Sequence, residues 1–467
     1  MGKSPCVGLR REDMYHWERR TPLIPVHVKE LAQSTGRQFI IQSSDMRAYS
    51  DDEYREAGLP VAVDLKECPV IIALKEIPVE VLEKDKVYVF FSHVIKGQPV
   101  NMPMLQQALD LGCTIIDYER VADDNHRRLI AFGNYAGLAG MIDTLWALGD
   151  RLAWEGISNP FELLTQASEY ADLTAAKVSI CAIGETIRTE GVPESITPLT
   201  IGIAGYGNVS KGAQDILDLL PITDIEPADL LAGKLPVNVG NTILKVVFQE
   251  EDTVLPLVRD KAFELQEFYD HPERYRAAFE RYLSHLTALV NCIYWEPKYP
   301  RLVTIESARK LYADGQPKLR VIGDISCDVA GGVEITVKAT EPDDPIYVYD
   351  PETGSIHSGV EGNGPVMMAV DILPSELPRE SSAYFSNILK RFVPDIVTAD
   401  YSVDFEELKL PAPLKRAVIC HRGALTPDCQ YIEKYLANSA EPANSSEFTK
   451  SIESEGSSDF DEQRRTF

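Results

Sequence analysis

Apolar residues in this chain come in short unbroken runs rather than in alternation. Val70-Ile71-Ile72-Ala73-Leu74 stops abruptly at Lys75-Glu76, and Val87-Tyr88-Val89-Phe90-Phe91 stops at Ser92-His93. A third run, Cys113-Thr114-Ile115-Ile116, carries Asp117, Tyr118 and Glu119 at its tip. Runs of this kind predict strands buried on both faces of a parallel sheet. Helical patterns fall between them: one beginning at Pro25 with Val28 and Leu31 on its apolar side, one over 52–57 closed by Gly58, and one over 104–111. Together with candidate strands at 6–9 and 39–42, the alternation predicts a layered α/β domain. Ligands of such sheets gather beyond the carboxyl ends of the strands. The pattern therefore brings Lys75 and His93 to one rim, and both side chains are readily tuned to exchange protons near neutral pH. A lysine after a strand is more often simply solvated, and a histidine at a strand end is about as often structural. The two at neighbouring rims favour a proton-transfer site.

From residue 132 the pattern changes. Gly133, Gly137 and Gly140 stand at helical spacing with Ala136 and Ala139 between them, predicting a tightly packed helix between domains in preference to a ligand site. A helix near Ala175 and an apolar strand over 199–204 lead into Gly205-Tyr206-Gly207-Asn208-Val209-Ser210-Lys211-Gly212-Ala213 and a helix over 214–220. Glycines in a sharp strand-to-helix turn let a pyrophosphate approach backbone N–H groups at the helix N-terminus. The strict GxGxxG spacing is not met, because the next glycine after Gly207 is Gly212. An acidic residue is expected about 20 positions on, after the second strand, and Glu226 fits, with Asp229 the weaker choice. Pro227 and the poor strand character nearby leave that assignment open. Residues 228–282, mixed and charged, read as an insertion without chemistry. Buried strands return over 288–295 and 319–326, the second with Asp324 at its end. Helices are expected near 382–392 and 405–408, and a strand over 417–419. Residues 437–467 read as a disordered acidic tail or linker.

At 467 residues the chain calls for two or three domains. A net charge of −26 argues against nucleic acid as a partner, since phosphate binding needs basic clusters. The eight cysteines are scattered without a CxxC pair and suit buried thiols better than disulfides or a metal site. No apolar stretch reaches the roughly 18 residues of a spanning helix. The start lacks a signal-peptide core, and its Met1-Gly2 fails the myristoylation pattern because Cys6 holds the Ser/Thr position. The expected compartment is the cytoplasm, or the mitochondrion if the N-terminus is incomplete.

Taken in order, the motifs resemble a known family. Trp17-Glu18-Arg19-Arg20-Thr21-Pro22-Leu23, Leu74-Lys75-Glu76, Phe90-Phe91-Ser92-His93, Asn101-Met102-Pro103, the Gly205–Ala213 turn, His271-Pro272-Glu273-Arg274-Tyr275, Ile293-Tyr294-Trp295-Glu296 and Val370-Asp371-Ile372-Leu373-Pro374 carry the resemblance. It is to the lysine–2-oxoglutarate reductase half of the α-aminoadipic semialdehyde synthases, and more distantly to lysine-forming saccharopine dehydrogenases and alanine dehydrogenases. It implies two Rossmann-like, doubly wound α/β domains with a cleft between them, the first completed by the C-terminal segment. Residues 1–135 with 370–436 would form the substrate domain, and 136–369 the dinucleotide domain with the insertion at about 228–282. It implies condensation of L-lysine with 2-oxoglutarate to an imine, then hydride transfer to give saccharopine.

By the same resemblance, Lys75 and His93 are the acid–base pair and Glu76 and Glu119 tune their protonation. Arg20 with Glu18, and Arg127 or its neighbour Arg128, meet substrate carboxylates. Gly205, Gly207, Asn208, Val209, Glu226, Ile293, Tyr294 and Asp371 face the cofactor, with Asp324 a weaker candidate, and no metal is implied. The reductase half favours NADP(H), although Glu226 would repel a 2′-phosphate and Lys211 lies on the turn, so NAD(H) is the alternative. A saccharopine dehydrogenase partner, fused or separate, and a homo-oligomer remain open, with no membrane partner. The rival readings are an alanine-dehydrogenase-like enzyme on a smaller oxo acid and a non-catalytic regulatory half.

Overall fold

The computed structural model describes residues 6–438 except 126, 131, 314 and 316 and the side chains of 437 and 438. The polar tail beyond residue 438 lies outside the described residues. The chain divides into two compact units. Unit 1 is drawn from the stretch before Phe132 together with the stretch from Pro378 on, and unit 2 is Phe132–Leu377.

Unit 1 is built on an eight-stranded sheet. Its parallel strands are β1 (Val7–Leu9), β2 (Phe39–Gln42), β3 (Val61–Ala62), β4 (Val70–Ile72), β5 (Val87–Phe90) and β6 (Thr114–Asp117), ordered β6-β5-β4-β1-β2-β3. β1, β4, β5 and β6 are buried at every position, which is why they read as continuous apolar runs. The sheet is finished by chain from the far end of the sequence. Val418–His421 lies antiparallel on β6, and Ala424–Leu425 pairs outside it. Thr114 Oγ1 and His421 Nδ1 meet at 3.0 Å across that junction. The helix expected over 405–408 is a turn. The helix in that region is Val393–Thr398, where Pro394 occupies a first-turn position that needs no N–H donor.

Unit 2 holds a second eight-stranded sheet. Its parallel part runs Val366–Met368, Val321–Asp324, Ala288–Asn291, Thr200–Ala204, Ile243–Phe248 and Ile222–Asp224. Ile346–Tyr349 and Ile356–Ser358 extend it antiparallel beyond Val366–Met368. The stretch 228–282 is therefore not simply an insertion, for it contains Ile243–Phe248, the strand beside Thr200–Ala204. Lys245 in the middle of that strand masks it in the sequence. The structure neutralises this lysine with Asp218 at 2.7 Å and Asp224 at 3.1 Å.

The glycine-bearing helix, Gly133–Trp154, packs inside unit 2 against the helix Asn208–Leu217, where the sequence had suggested a packing between domains. A Cβ on Gly137 would stand 1.9 Å from the Val209 carbonyl oxygen, and one on Gly212 would stand 2.0 Å from that of Asn134. Gly212 thus serves helix–helix contact. Ser210, fully buried, occupies the place of the motif's third glycine. Among the described residues no helix is long and apolar enough to cross a membrane.

Candidate active site

The rim of unit 1 is formed where β1, β4, β5 and β6 end. β4 and β5 pair in parallel with Ile72 opposite Val89, so the residues after each strand come out side by side. His93 Nδ1 is hydrogen-bonded to Glu76 Oε1, which joins the two tips. Phe91 stacks on the His93 ring at 6.1 Å and 18°, and Tyr118 and Phe385 pack around Phe91. His93 has a φ of +48°, a backbone state costly for a side chain with a Cβ, and the Asn101 amide donates to its carbonyl at 3.2 Å. Burial alone would raise the Glu76 pKa. The His93 hydrogen bond and charge, with Lys75 nearby, bring it below the ordinary carboxylate value. Lys75 is half-buried, and among the described residues its ammonium makes no hydrogen bond or ion pair.

Two further carboxyls shape this rim. Asp117 is completely buried and accepts the Ser92 hydroxyl and amide, the latter at 3.3 Å, and the Glu119 amide at 2.8 Å. Burial pushes its pKa up to about 6; the Ser92 hydroxyl works against the rise and the Glu119 charge adds to it. Glu119 is bonded to Arg128 through Oε1. The other oxygens, Glu76 Oε2 and Glu119 Oε2, are buried without a hydrogen-bond partner.

Glu12, which no pattern in the sequence marks, is central to this rim. It lies just past β1, buried, and accepts the Leu74 amide at 2.8 Å and the Lys75 amide at 3.0 Å. Burial raises its pKa to about 7, with Glu18 adding and Arg10 and the two amides opposing. It also walls a cavity of about 530 Å³ shared with Arg11, Tyr15, His16 and Asp45. The available signal was an acid three positions past an apolar strand, hidden in the polar string Arg10-Arg11-Glu12-Asp13.

Arg20 and Glu18 are brought together, in a bidentate pair at 2.8 and 2.5 Å with both side chains buried. Arg127 is placed apart from them. It is exposed and tied to Asp123 at 2.8 Å within its own loop, while Arg128 is the arginine joined to the rim.

In unit 2 the glycine turn follows Thr200–Ala204, as expected. Gly205 sits at φ +97°, and a Cβ there would meet Ile293 Cγ1 at 3.1 Å, so the turn needs glycine and Ile293 lies against it. Gly207 precedes the helix Asn208–Leu217, and a Cβ there would meet nothing within 4 Å. That open approach to a helix N-terminus fits a dinucleotide pyrophosphate. Asn208 and Val209 form the first turn of the helix, and Tyr294 is exposed next to Ile293. Asp371 is exposed, its amide bonded to the Thr340 carbonyl at 3.2 Å. Asp324 is committed to the framework. It accepts Asn291 at 2.8 Å, Thr336 at 2.5 Å and the Cys327 amide at 3.2 Å, and burial raises its pKa to about 6.

Glu226 follows Ile222–Asp224, which is the edge strand and not the neighbour of Thr200–Ala204. The neighbour is Ile243–Phe248, whose Phe248 carbonyl accepts the Gly205 amide at 2.9 Å. The acid that follows this strand is Glu250. Its Oε1 accepts the Tyr269 hydroxyl at 2.5 Å and the Tyr206 hydroxyl, from within the glycine turn, at 3.4 Å.

Residues 8–139 match the family model "Alanine dehydrogenase/PNT, N-terminal domain". The fold is that of an alanine dehydrogenase, with a TM-score of 0.59 at 17% identity over 92% of this chain and 99% of that one. Residues 8–139 thus carry the alanine dehydrogenase N-terminal family pattern, and the chain as a whole has the alanine dehydrogenase fold. Over nearly its whole length the chain is similar to the α-aminoadipic semialdehyde synthases. It is 36% identical over 465 residues to the one from Arabidopsis thaliana, covering 96% of this chain and 43% of the relative. To the mitochondrial one from Rattus norvegicus it is 36% identical over 445 residues, covering 92% and 48%. The chain spans less than half the length of these relatives.

Proposed function

We propose that this chain is a lysine–2-oxoglutarate reductase, forming saccharopine from L-lysine and 2-oxoglutarate through an imine. The observation that carries the reading is the Glu76–His93 pair set beside Lys75, whose backbone is held by Glu12. Condensing an amine with a ketone needs one group to take a proton from the attacking nitrogen and another to give one to the carbinolamine oxygen as water leaves. Lys75 and His93 take these parts. Glu76 orients the imidazole through its bond to Nδ1. The unpaired buried oxygens Glu76 Oε2 and Glu119 Oε2 accept from the substrate amine. Arg20, fixed by Glu18, presents a preorganised cation to a substrate carboxylate, and Arg128 is better placed than Arg127 for another. Gly205, Gly207, Asn208 and Val209 would hold a nicotinamide cofactor, which would supply the hydride that reduces the imine. By extension from the rat relative's name the chain acts in mitochondria, and its product passes to a saccharopine dehydrogenase, fused or separate.

The test follows oxidation of the reduced nicotinamide with lysine plus 2-oxoglutarate, and separately with pyruvate plus ammonia. The first pair supports turnover and the second does not. Lys75→Met and His93→Gln each lower kcat by about 10²- to 10⁴-fold. A double variant with the wild-type rate refutes the site.

A further inference from the structure

We infer that this chain takes NAD(H) rather than NADP(H), with Glu250 and not Glu226 meeting the adenosine ribose. The inference rests on unit 2 being the nicotinamide-binding half of the proposed reductase, and it departs from the NADP(H) expected by family resemblance.

Sheet order carries the argument. In a dinucleotide fold the residue that reads the ribose stands at the carboxyl end of the strand next to the one that feeds the glycine turn. Chain order names Ile222–Asp224 as the second strand, but hydrogen bonding places Ile243–Phe248 there and moves Ile222–Asp224 to the edge. Neighbouring strands lie about 4.8 Å apart, so Glu226 is about 10 Å from the turn-bearing strand, twice the lateral distance of the strand that ends at Glu250. The Gly205 amide bonded to the Phe248 carbonyl ties that nearer strand end directly to the turn.

Glu250 is also held in place for the task. Two phenol hydroxyls, Tyr206 from the turn and Tyr269 from the helix Leu265–Asp270, both donate to its Oε1. Oε2 is left to accept from a vicinal diol. A 2′-phosphate would instead bring close to two negative charges against Glu250 and against Glu251 and Asp252 in the same turn of helix. The cations nearby serve other groups. Arg281 donates to the Asp252 carbonyl at 3.2 Å and lies over the Tyr282 ring, and Lys245 is shared between Asp218 and Asp224. Lys211 projects from the exposed side of the nucleotide helix rather than from this strand end.

The test is a fluorescence titration of the full chain with NADH and with NADPH, with neither lysine nor oxo acid present. NADH binds at least about tenfold more tightly, the value of a charged hydrogen bond exchanged for a repulsion. Glu250→Ser brings the two affinities within threefold, and Glu226→Ser keeps the wild-type ratio. Displacement of NADH from the wild-type chain gives a second reading independent of any variant: ADP competes and 2′,5′-ADP does not. Tighter or equal binding of NADPH by the wild type, or loss of discrimination in Glu226→Ser alone, overturns the inference. Because no substrate is present, failure of the lysine reductase reading leaves this result untouched.

Discussion

Replacing Glu12 with Gln should make unit 1 more stable at alkaline pH and the enzyme slower. Glu12 is buried, and its carboxyl is raised from the ordinary 4.5 to about 7 by that burial. Between those two values the unfolded chain has released the proton and the folded chain still holds it. The stabilisation is complete below pH 4.5 and is lost as pH rises through 7, an amount of about 3 kcal/mol. Glutamine cannot ionise and removes this dependence. Guanidinium unfolding at pH 5 and pH 8, followed by Trp17, the one tryptophan of unit 1, measures it. The stability of Glu12→Gln relative to wild type moves by about 2.5 kcal/mol in the variant's favour between the two pH values. The carboxamide has only one accepting oxygen for the Leu74 and Lys75 amides, so the Lys75 backbone loses an anchor and kcat falls roughly ten- to hundredfold. A stability difference that is the same at pH 5 and pH 8 refutes the reasoning.

Gly212→Ala forces a Cβ to within 2.0 Å of the Asn134 carbonyl oxygen and 3.0 Å of the Leu138 nitrogen, both backbone atoms of the facing helix. A cost of about 1–3 kcal/mol is expected, read by calorimetry as a fall of about 2–4 °C in the Tm of unit 2 per kcal/mol; an unchanged Tm contradicts the close packing. Glu76→Gln works with the opposite pH sign to Glu12. The lowered Glu76 pKa contributes stability above pH 4.5 that is lost as pH falls through the folded value. The wild type therefore loses this contribution on acidification and Glu76→Gln does not, which parallel unfolding curves at pH 3.5 and pH 7 detect.

How much of this was legible in the sequence depended on range. The runs at β4, β5 and β6 were readable because a strand buried on both faces has no polar positions to spare, and their abrupt ends exposed Lys75, Glu76 and His93. Glu12 was not readable, since nothing in a string of charges marks the one whose carboxylate turns inward to two amides on another strand. Ile243–Phe248 was hidden by Lys245, whose neutralising partners lie on other elements. Without that strand, distance along the chain points to Glu226, whereas the lateral order of strands puts Glu250 after the strand beside Thr200–Ala204. Arg127 and Arg128 differ by one position, and only the fold decides which reaches Glu119. The spacing of the glycines on the long helix marks a packing face, but tertiary structure sets its partner.

The antiparallel pairing of Val418–His421 with β6 has a temporal consequence. Thr114 and its partner His421 are 307 residues apart in the chain. At roughly 5–20 residues per second, a ribosome needs about 15–60 s to deliver the strand that closes the sheet. Unit 2, continuous in sequence, is fully synthesised in that interval. The unit carrying Lys75 and His93 is thus the first to be made and the last to be finished. Until then β6 presents an open sheet edge, the state in which a chaperone has most to protect.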